Sequence, residues 1–300
     1  MKFGISVPQG IGGQQDVRAL RDYCRRAEQL GFDSLWTQDN VIVPRPTLDA
    51  QEVLMLAAGC TERIKLGCAV WMMTGRSPVH MAKSIATIDQ LSGGRLIAGV
   101  GQGANAAQDA AYGVDPKTRA ARFDEAVRLM QALWSQPKVT FEGRFWRLTD
   151  TPLLPKPLQQ PFPLWFGGNA PTALKRAARL GDAWVGAGST TTAQFAEQAK
   201  QLREHLPAYG KSPDNYELSK RIYVVIDDDR ERAKKNVVER GNLPGRQELH
   251  TEWTAWGTPD DVLDEMHRVA DVGVDMIMLT PLFDHSEHLE RIAAEILPKF

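Results

Sequence analysis

Gly101, Gln102 and Gly103 close a short apolar run, Leu96–Val100, and a glycine turn after a buried strand is the first place in this chain to look for chemistry. Glycine lets the backbone approach a ligand and takes positive φ at no steric cost. Met81, Ile85, Ile88 and Leu91 precede it at helical spacing, and Ser92-Gly93-Gly94 is a stop signal. The order is helix, tight turn, strand, then a glycine loop at the strand's carboxyl end, where α/β folds bind ligands. Gly167-Gly168-Asn169 stands just before Pro171, which is suited to open a helix whose bare amides attract anions. His285 and His288 flank Asp284 and Glu287 at helical spacing, but no third ligand with zinc-like spacing stands nearby. A solvated helix end is expected there, and no metal site. Cys68 reads as a small core residue, since nothing basic adjoins it.

The elements that must position these residues follow from pattern. Three hundred residues at 43% apolar content can bury a large core. A net charge of −1 gives no electrostatic case for nucleic acid or an anionic membrane. Cys24, Cys60 and Cys68 are too few for a disulfide framework. The chain opens directly on a strand-like KFGISV and has no run of 18 apolar residues, so a soluble cytoplasmic protein is expected. Eight short apolar runs stand out: Phe3–Val7, Ser34–Thr37, Lys65–Val70, Leu96–Val100, Leu164–Phe166, Ala183–Val185, Ile222–Ile226 and Met276–Leu279. Helical patterns lie between most of them: Val17–Leu30 with Gly31 as stop, Ala50–Ala58, Met81–Leu91, Ala120–Trp134, Pro171–Leu180, Gln194–His205, Asp229–Glu239, Asp260–Val272 and Ser286–Leu297. Eight alternating units predict one (β/α)8 TIM-barrel domain over residues 1–300, with a doubly wound open sheet as the alternative. Gln136–Pro163 reads as an insertion, a hairpin followed by TPLLPKPLQQPFP packed along the barrel. Tyr209–Glu217 and Gly241–Gly257 read as loop-rich.

Several blocks resemble the bacterial luciferase-like flavin and deazaflavin oxidoreductases. They are KFGISVP, GFDSLWTQD, IKLGCAV, RSPVHMAKSIATIDQLSGGRLIAGVG, LWSQPKVTFEGRFWRL, LPKPLQQPFPLWFGG and RAARLGDAWVGAG, closing with WGTPDDVLDEMHRVADVGVDMIMLTP. The resemblance spans essentially the whole chain and is closer to the coenzyme F420 branch than to the FMN monooxygenases. It implies a cofactor across the carboxyl end of the barrel, F420 or alternatively FMN. It further implies a bulge with a non-proline cis peptide at Cys68-Ala69-Val70 against which the ring packs, and Asp39 near the ring, although Asp39 also suits an Asx turn. Gly101 and Gly103 would adjoin the cofactor. The phosphate is expected at Gly167-Gly168-Asn169 and at Gly186-Ala187-Gly188. Such proteins are usually homodimers.

Two positions depart from the pattern. Sugar-phosphate dehydrogenases of the deazaflavin branch have a histidine after that aspartate and an acid after the fourth strand's glycines; here Asn40 and Ala104 stand there. Oxidising an alcohol needs a base for the hydroxyl proton, and neither residue can serve. Reducing an activated C=C or C=N bond asks less, because solvent can supply the proton. Asn40, Gln102 and Asn105 are then polar contacts for substrate or ring, with Trp71 and Met72 as apolar walls and a small organic molecule as substrate. Its identity depends on the loops Val41–Asp49, Ala106–Thr118 and Asn242–Thr258. The alternatives are an FMN-dependent monooxygenase, a non-catalytic flavin-binding protein, and a non-redox barrel.

Overall fold

The computed structural model describes residues 1–10, 16–44, 46–103, 106–241 and 250–300. The strands are β1 (Lys2–Ser6), β2 (Ser34–Thr37), β3 (Lys65–Met72), β4 (Leu96–Gly101), β5 (Val139–Glu142), β6 (Arg147–Thr151), β7 (Leu164–Gly167), β8 (Ala183–Gly186), β9 (Glu217–Ile226), β10 (Thr254–Gly257) and β11 (Met276–Pro281). The main sheet runs β10-β9-β11-β1-β2-β3-β4-β7-β8, and β8 pairs again with β9. Leaving β10 aside, this ring of eight strands is the (β/α)8 topology, and its members contain the eight apolar runs read from the sequence except for Val7, which lies just past β1. The intervening helices are α1 (Val17–Gln29), α2 (Ala50–Ala58), α3 (Pro78–Leu91), α4 (Ala106–Ala111), α5 (Arg119–Ser135), α6 (Pro171–Leu180), α7 (Thr192–His205), α8 (Arg230–Arg240), α9 (His250–Trp253), α10 (Pro259–Ala270) and α11 (His285–Arg291).

Three expectations need correction. The stretch 241–257 is not all loop: α9 and β10 occupy its described part, residues 242–249 lying outside the description. β10 pairs with Tyr223–Ile226 of β9, beyond the Glu217–Lys220 segment that β8 occupies. Its four residues find their partner only in tertiary structure, where the longer β9 outruns β8. The Ala106–Thr118 loop holds α4 and a short 3-10 turn. His285 and His288 are not a solvated helix end: His288 is 3% exposed, and its Nε2 accepts the Ile226 N–H at 3.1 Å.

The chain divides into two compact units, one of Met1–Pro8, Val17–Trp36 and Phe166–Phe300, the other of Gln9–Asp16 and Thr37–Trp165. In the first, every residue of β11 is buried, and Tyr23 of α1 donates to Ser6 O at 3.0 Å. In the second, Asp49 and Ser77 cap α2 and α3 with their side chains. Arg95, 8% exposed, closes the other end of α2. Its Nη2 donates to Ala58 O and Thr61 O, both at 3.1 Å, and its Nη1 donates to Ile64 O at 3.0 Å. A cation among the last carbonyls of a helix offsets the dipole there. The LSGGR block is thus a structural lock.

The insertion lies on this second unit through two buried carboxylates. Glu125 of α5 accepts the N–H groups of Arg144, Phe145 and Trp146 at 2.8–3.0 Å, fixing the turn between β5 and β6. Asp89 of α3 accepts Leu158 N–H at 2.7 Å, Gln159 N–H at 3.1 Å and Gln159 Nε2 at 2.7 Å, fixing the proline-rich run. Each carboxylate satisfies amides that have no strand partner.

Candidate active site

In the second unit the carboxyl end of β3 is the organising feature. The register between β3 and β4 shifts between Cys68 and Trp71, and the Ala69–Val70 peptide bond is cis. Two glycines of β4 accommodate the irregularity. A Cβ at Gly99 would collide with the Cys68 carbonyl, and one at Gly101 would stand 2.7 Å from Val70 Cγ2. At Gly103 (φ +71°) it would meet the Met72 side chain at 3.0 Å. The glycines of this stretch are therefore needed first by packing against the bulge. Cys68 is fully buried, while Ala69, Val70 and Met72 keep part of their surface exposed. Trp71 points into the core at 0% exposure, so it cannot wall a site as expected; Met72 can.

Asp39, just beyond β2, braces this end. Its side chain is fully buried; Oδ2 accepts Met72 N–H at 2.9 Å and Arg76 Nε at 3.2 Å, and Oδ1 accepts Arg76 Nη2 at 2.7 Å. Burial raises the Asp39 carboxyl above its ordinary range, against the opposing pull of the Arg76 charge. Arg76 reaches further, from Nη1 to Gln51 Oε1 at 3.3 Å. Sequence reasoning missed Arg76, although an arginine six residues beyond the bulge was a visible partner for Asp39. Asn40 and Gln102 follow β2 and β4, the strands on either side of β3, and both are half-buried. The Gln102 carbonyl accepts Thr74 Oγ1 at 2.8 Å. Asn105 and Ala104 lie outside the described residues.

In the first unit, Gly167, Gly168 and Asn169 lead into α6. Gly168 has φ +121°, and Trp184 Nε1 donates to its carbonyl at 3.0 Å. Pro171 opens the helix, and its N-cap, Ala170, offers no side chain to the first amides. Asn169 Oδ1 is buried without a partner. Gly186 ends β8, and the turn that Ala187 begins is held by Lys220 of β9, a buried residue that sequence reasoning passed over. Its signal was a lysine amid the apolar positions of a strand.

Fold and site features together define a (β/α)8 protein with a bulged third strand and two glycine turns at strand ends. The luciferase-like monooxygenase family model matches residues 1–276, and the chain belongs to that family. An F420-dependent glucose-6-phosphate dehydrogenase of Kineococcus radiotolerans is 29% identical, covering 93% of this chain and 92% of its own. Among solved structures, a monooxygenase from Streptomyces bottropensis superposes with a TM-score of 0.86 at 21% identity, covering 100% of this chain and 99% of its own. An F420-dependent secondary alcohol dehydrogenase in complex with an F420–acetone adduct gives 0.84 at 22%, covering 98% of both chains.

Proposed function

We propose that this chain is a coenzyme F420-dependent oxidoreductase that moves a hydride between the deazaflavin and a small organic substrate. The observation that carries the reading is the braced end of β3: Val70 and Met72 present a half-exposed apolar surface, and the nearby carboxylate, Asp39, is spent on Met72 N–H and Arg76. Such a surface supports a flat ring and offers it no free acid or base. The redox chemistry then comes from a bound group, and the relatives named for F420 support its being a deazaflavin.

The residues present fit that group. The start of α6 has backbone amides that no side chain caps, and bare N–H donors at a helix start suit a phosphate. In the first unit we assign phosphate contact to the backbone of Gly167, Gly168 and Asn169 and of Gly186 and Ala187; in the second we assign ring contact to Ala69, Val70 and Gly103, with Asp39 holding the surface beneath them. When bound, the deazaflavin supplies C5 as the carbon that gives or takes hydride. The chain's part is to hold substrate: Asn40 and Gln102 donate or accept hydrogen bonds, Met72 excludes water from the apolar side, and a proton enters from solvent.

Titration of the purified protein with F420 and with FMN, read by absorbance, tests this. Saturable F420 uptake is expected. Tight FMN binding without F420 uptake would reverse the assignment in favour of a flavin monooxygenase. Homodimerisation and a cytoplasmic location belong to the same proposal, and light scattering checks the first.

A further inference from the structure

We infer that Lys220 is a positioning residue for the turn after β8, making that turn selective for the phosphate-bearing form of the cofactor. The inference rests on the proposed function and deepens it. Lys220 is 2% exposed, and its Nζ donates to Ala187 O, to Thr190 O at 2.9 Å and to Thr190 Oγ1 at 2.7 Å. The Thr190 hydroxyl proton is itself spent on Ala187 O at 2.9 Å, so Oγ1 accepts from Nζ. Three acceptors require three N–H bonds, and the amine is an ammonium. Burial, aided by the charge of Arg221 and opposed by the Glu265 carboxylate, lowers its pKa to about 7. All three acceptors are neutral, and the ring of Phe195 lies 5.4 Å from Nζ. A buried cation with no carboxylate among its hydrogen-bond acceptors is costly, and here its positive field falls on the Ala187–Thr190 turn.

The geometry of the turn uses that field. In a trans peptide the carbonyl and the N–H point opposite ways, so drawing the Ala187 carbonyl toward Nζ turns the Gly188 N–H away from it. Adjacent strand residues face opposite sides, so Lys220 and Arg221 bracket the turn. Near Gly188, a Cβ would stand 2.9 Å from both Arg221 Nε and the Tyr223 ring. Arg221 Nη2 donates to the Tyr223 hydroxyl at 2.8 Å, and its Nε is buried without a partner. A turn whose Gly188 amide is rotated away from Lys220, with a cation on each side, suits an oxyanion.

The test compares F420 with the corresponding deazariboflavin, which ends at the ribityl chain and has no phosphate. Dissociation constants are measured by absorbance titration of wild type, Lys220→Met and Thr190→Val, with folding followed by circular dichroism. Wild type is expected to prefer F420. Lys220→Met should lose about ten- to hundredfold in F420 affinity, the scale of a charged hydrogen bond, while deazariboflavin affinity changes less than about twofold. Equal losses for both ligands, or no loss for either, would overturn the inference. Should Lys220→Met not fold, Thr190→Val must show the same phosphate-selective loss, and an equal loss there overturns it as well. If wild type binds neither ligand, the proposed function itself fails; if it binds both alike, only this inference does.

Discussion

Arg76 Nη2 lies 2.7 Å from Asp39 Oδ1 while Met72 N–H lies 2.9 Å from Asp39 Oδ2, so one buried carboxylate ties a guanidinium to the backbone of the bulged strand. Removing the guanidinium leaves an uncompensated charge in a side chain with no solvent contact. Arg76→Met should therefore cost about 3–5 kcal/mol of stability. Asp39→Asn added to it should recover part of that loss, because the orphaned charge goes too. Urea denaturation of Arg76→Met, Asp39→Asn and the double variant measures both quantities. A double variant as unstable as the sum of the singles would show that the pair does not couple.

His288 makes the second prediction. Its Nε2 accepts Ile226 N–H, so the proton sits on Nδ1, 3.2 Å from Asp284 O, and the ring is neutral. Burial lowers its pKa; burial, with the repulsion that His288 would exert once protonated, brings His285 to about 4. The folded values lie below the unfolded value near 6.5, so on acidification the unfolded chain takes up protons first. Stability contributed by these rings is complete above about pH 6.5 and declines as pH falls toward the folded values. Urea midpoints at pH 7.5 and pH 5 should differ in that direction (both about neutral and acid of the ordinary value), and the double variant His285→Gln, His288→Gln should flatten the difference. An unchanged slope would rule out the pair as its source.

A third prediction concerns the insertion. Asp89 accepts two backbone amides and one side-chain amide from Leu158 and Gln159. Asp89→Ala leaves those donors without their acceptor, at a cost of about 1–3 kcal/mol each where water cannot replace it. The amides of Leu158 and Gln159 should then exchange hydrogen faster while those of β4 hold. Exchange unchanged at both positions would mean that the prolines alone fix the run.

The parts of this fold that were legible in the sequence are those whose local pattern and tertiary role agree. Ala50–Ala58 and Pro171–Leu180 are read to the residue, because apolar spacing, a cap or proline at the start and glycine at the end coincide. β9 was read only from Ile222, since Lys220 and Arg221 break its apolar run; the ammonium is hidden by oxygens from the β8–α7 turn, which no local pattern announces. The cis bond at Ala69–Val70 falls where family resemblance put it. Asp39 was singled out by the same route, but its three donors were not legible, because Arg76 is brought to it only by the path of β3 into α3. Gly101 and Gly103 are expected beside a ligand from the sequence; the structure adds a second need for glycine there, since a Cβ at either would meet Val70 or Met72.

Asn40 bears on the substrate. It directly follows Asp39 and is half-buried, and a neutral amide cannot take a hydroxyl proton. Asp39 cannot substitute for a base while it accepts from Met72 and Arg76, since freeing it would break both bonds. Missing general-base catalysis costs about 10²–10⁴-fold in rate. With F420 bound, oxidation of glucose 6-phosphate, the reaction named for the bacterial relatives, should therefore run at least about hundredfold slower than reduction of an activated C=C or C=N substrate by the reduced cofactor. Stopped-flow absorbance of the cofactor in each direction measures the two rates. Glucose 6-phosphate oxidised as fast as the best reducible substrate would require a base that Asn40 does not provide, and would return this chain to the sugar-phosphate dehydrogenases.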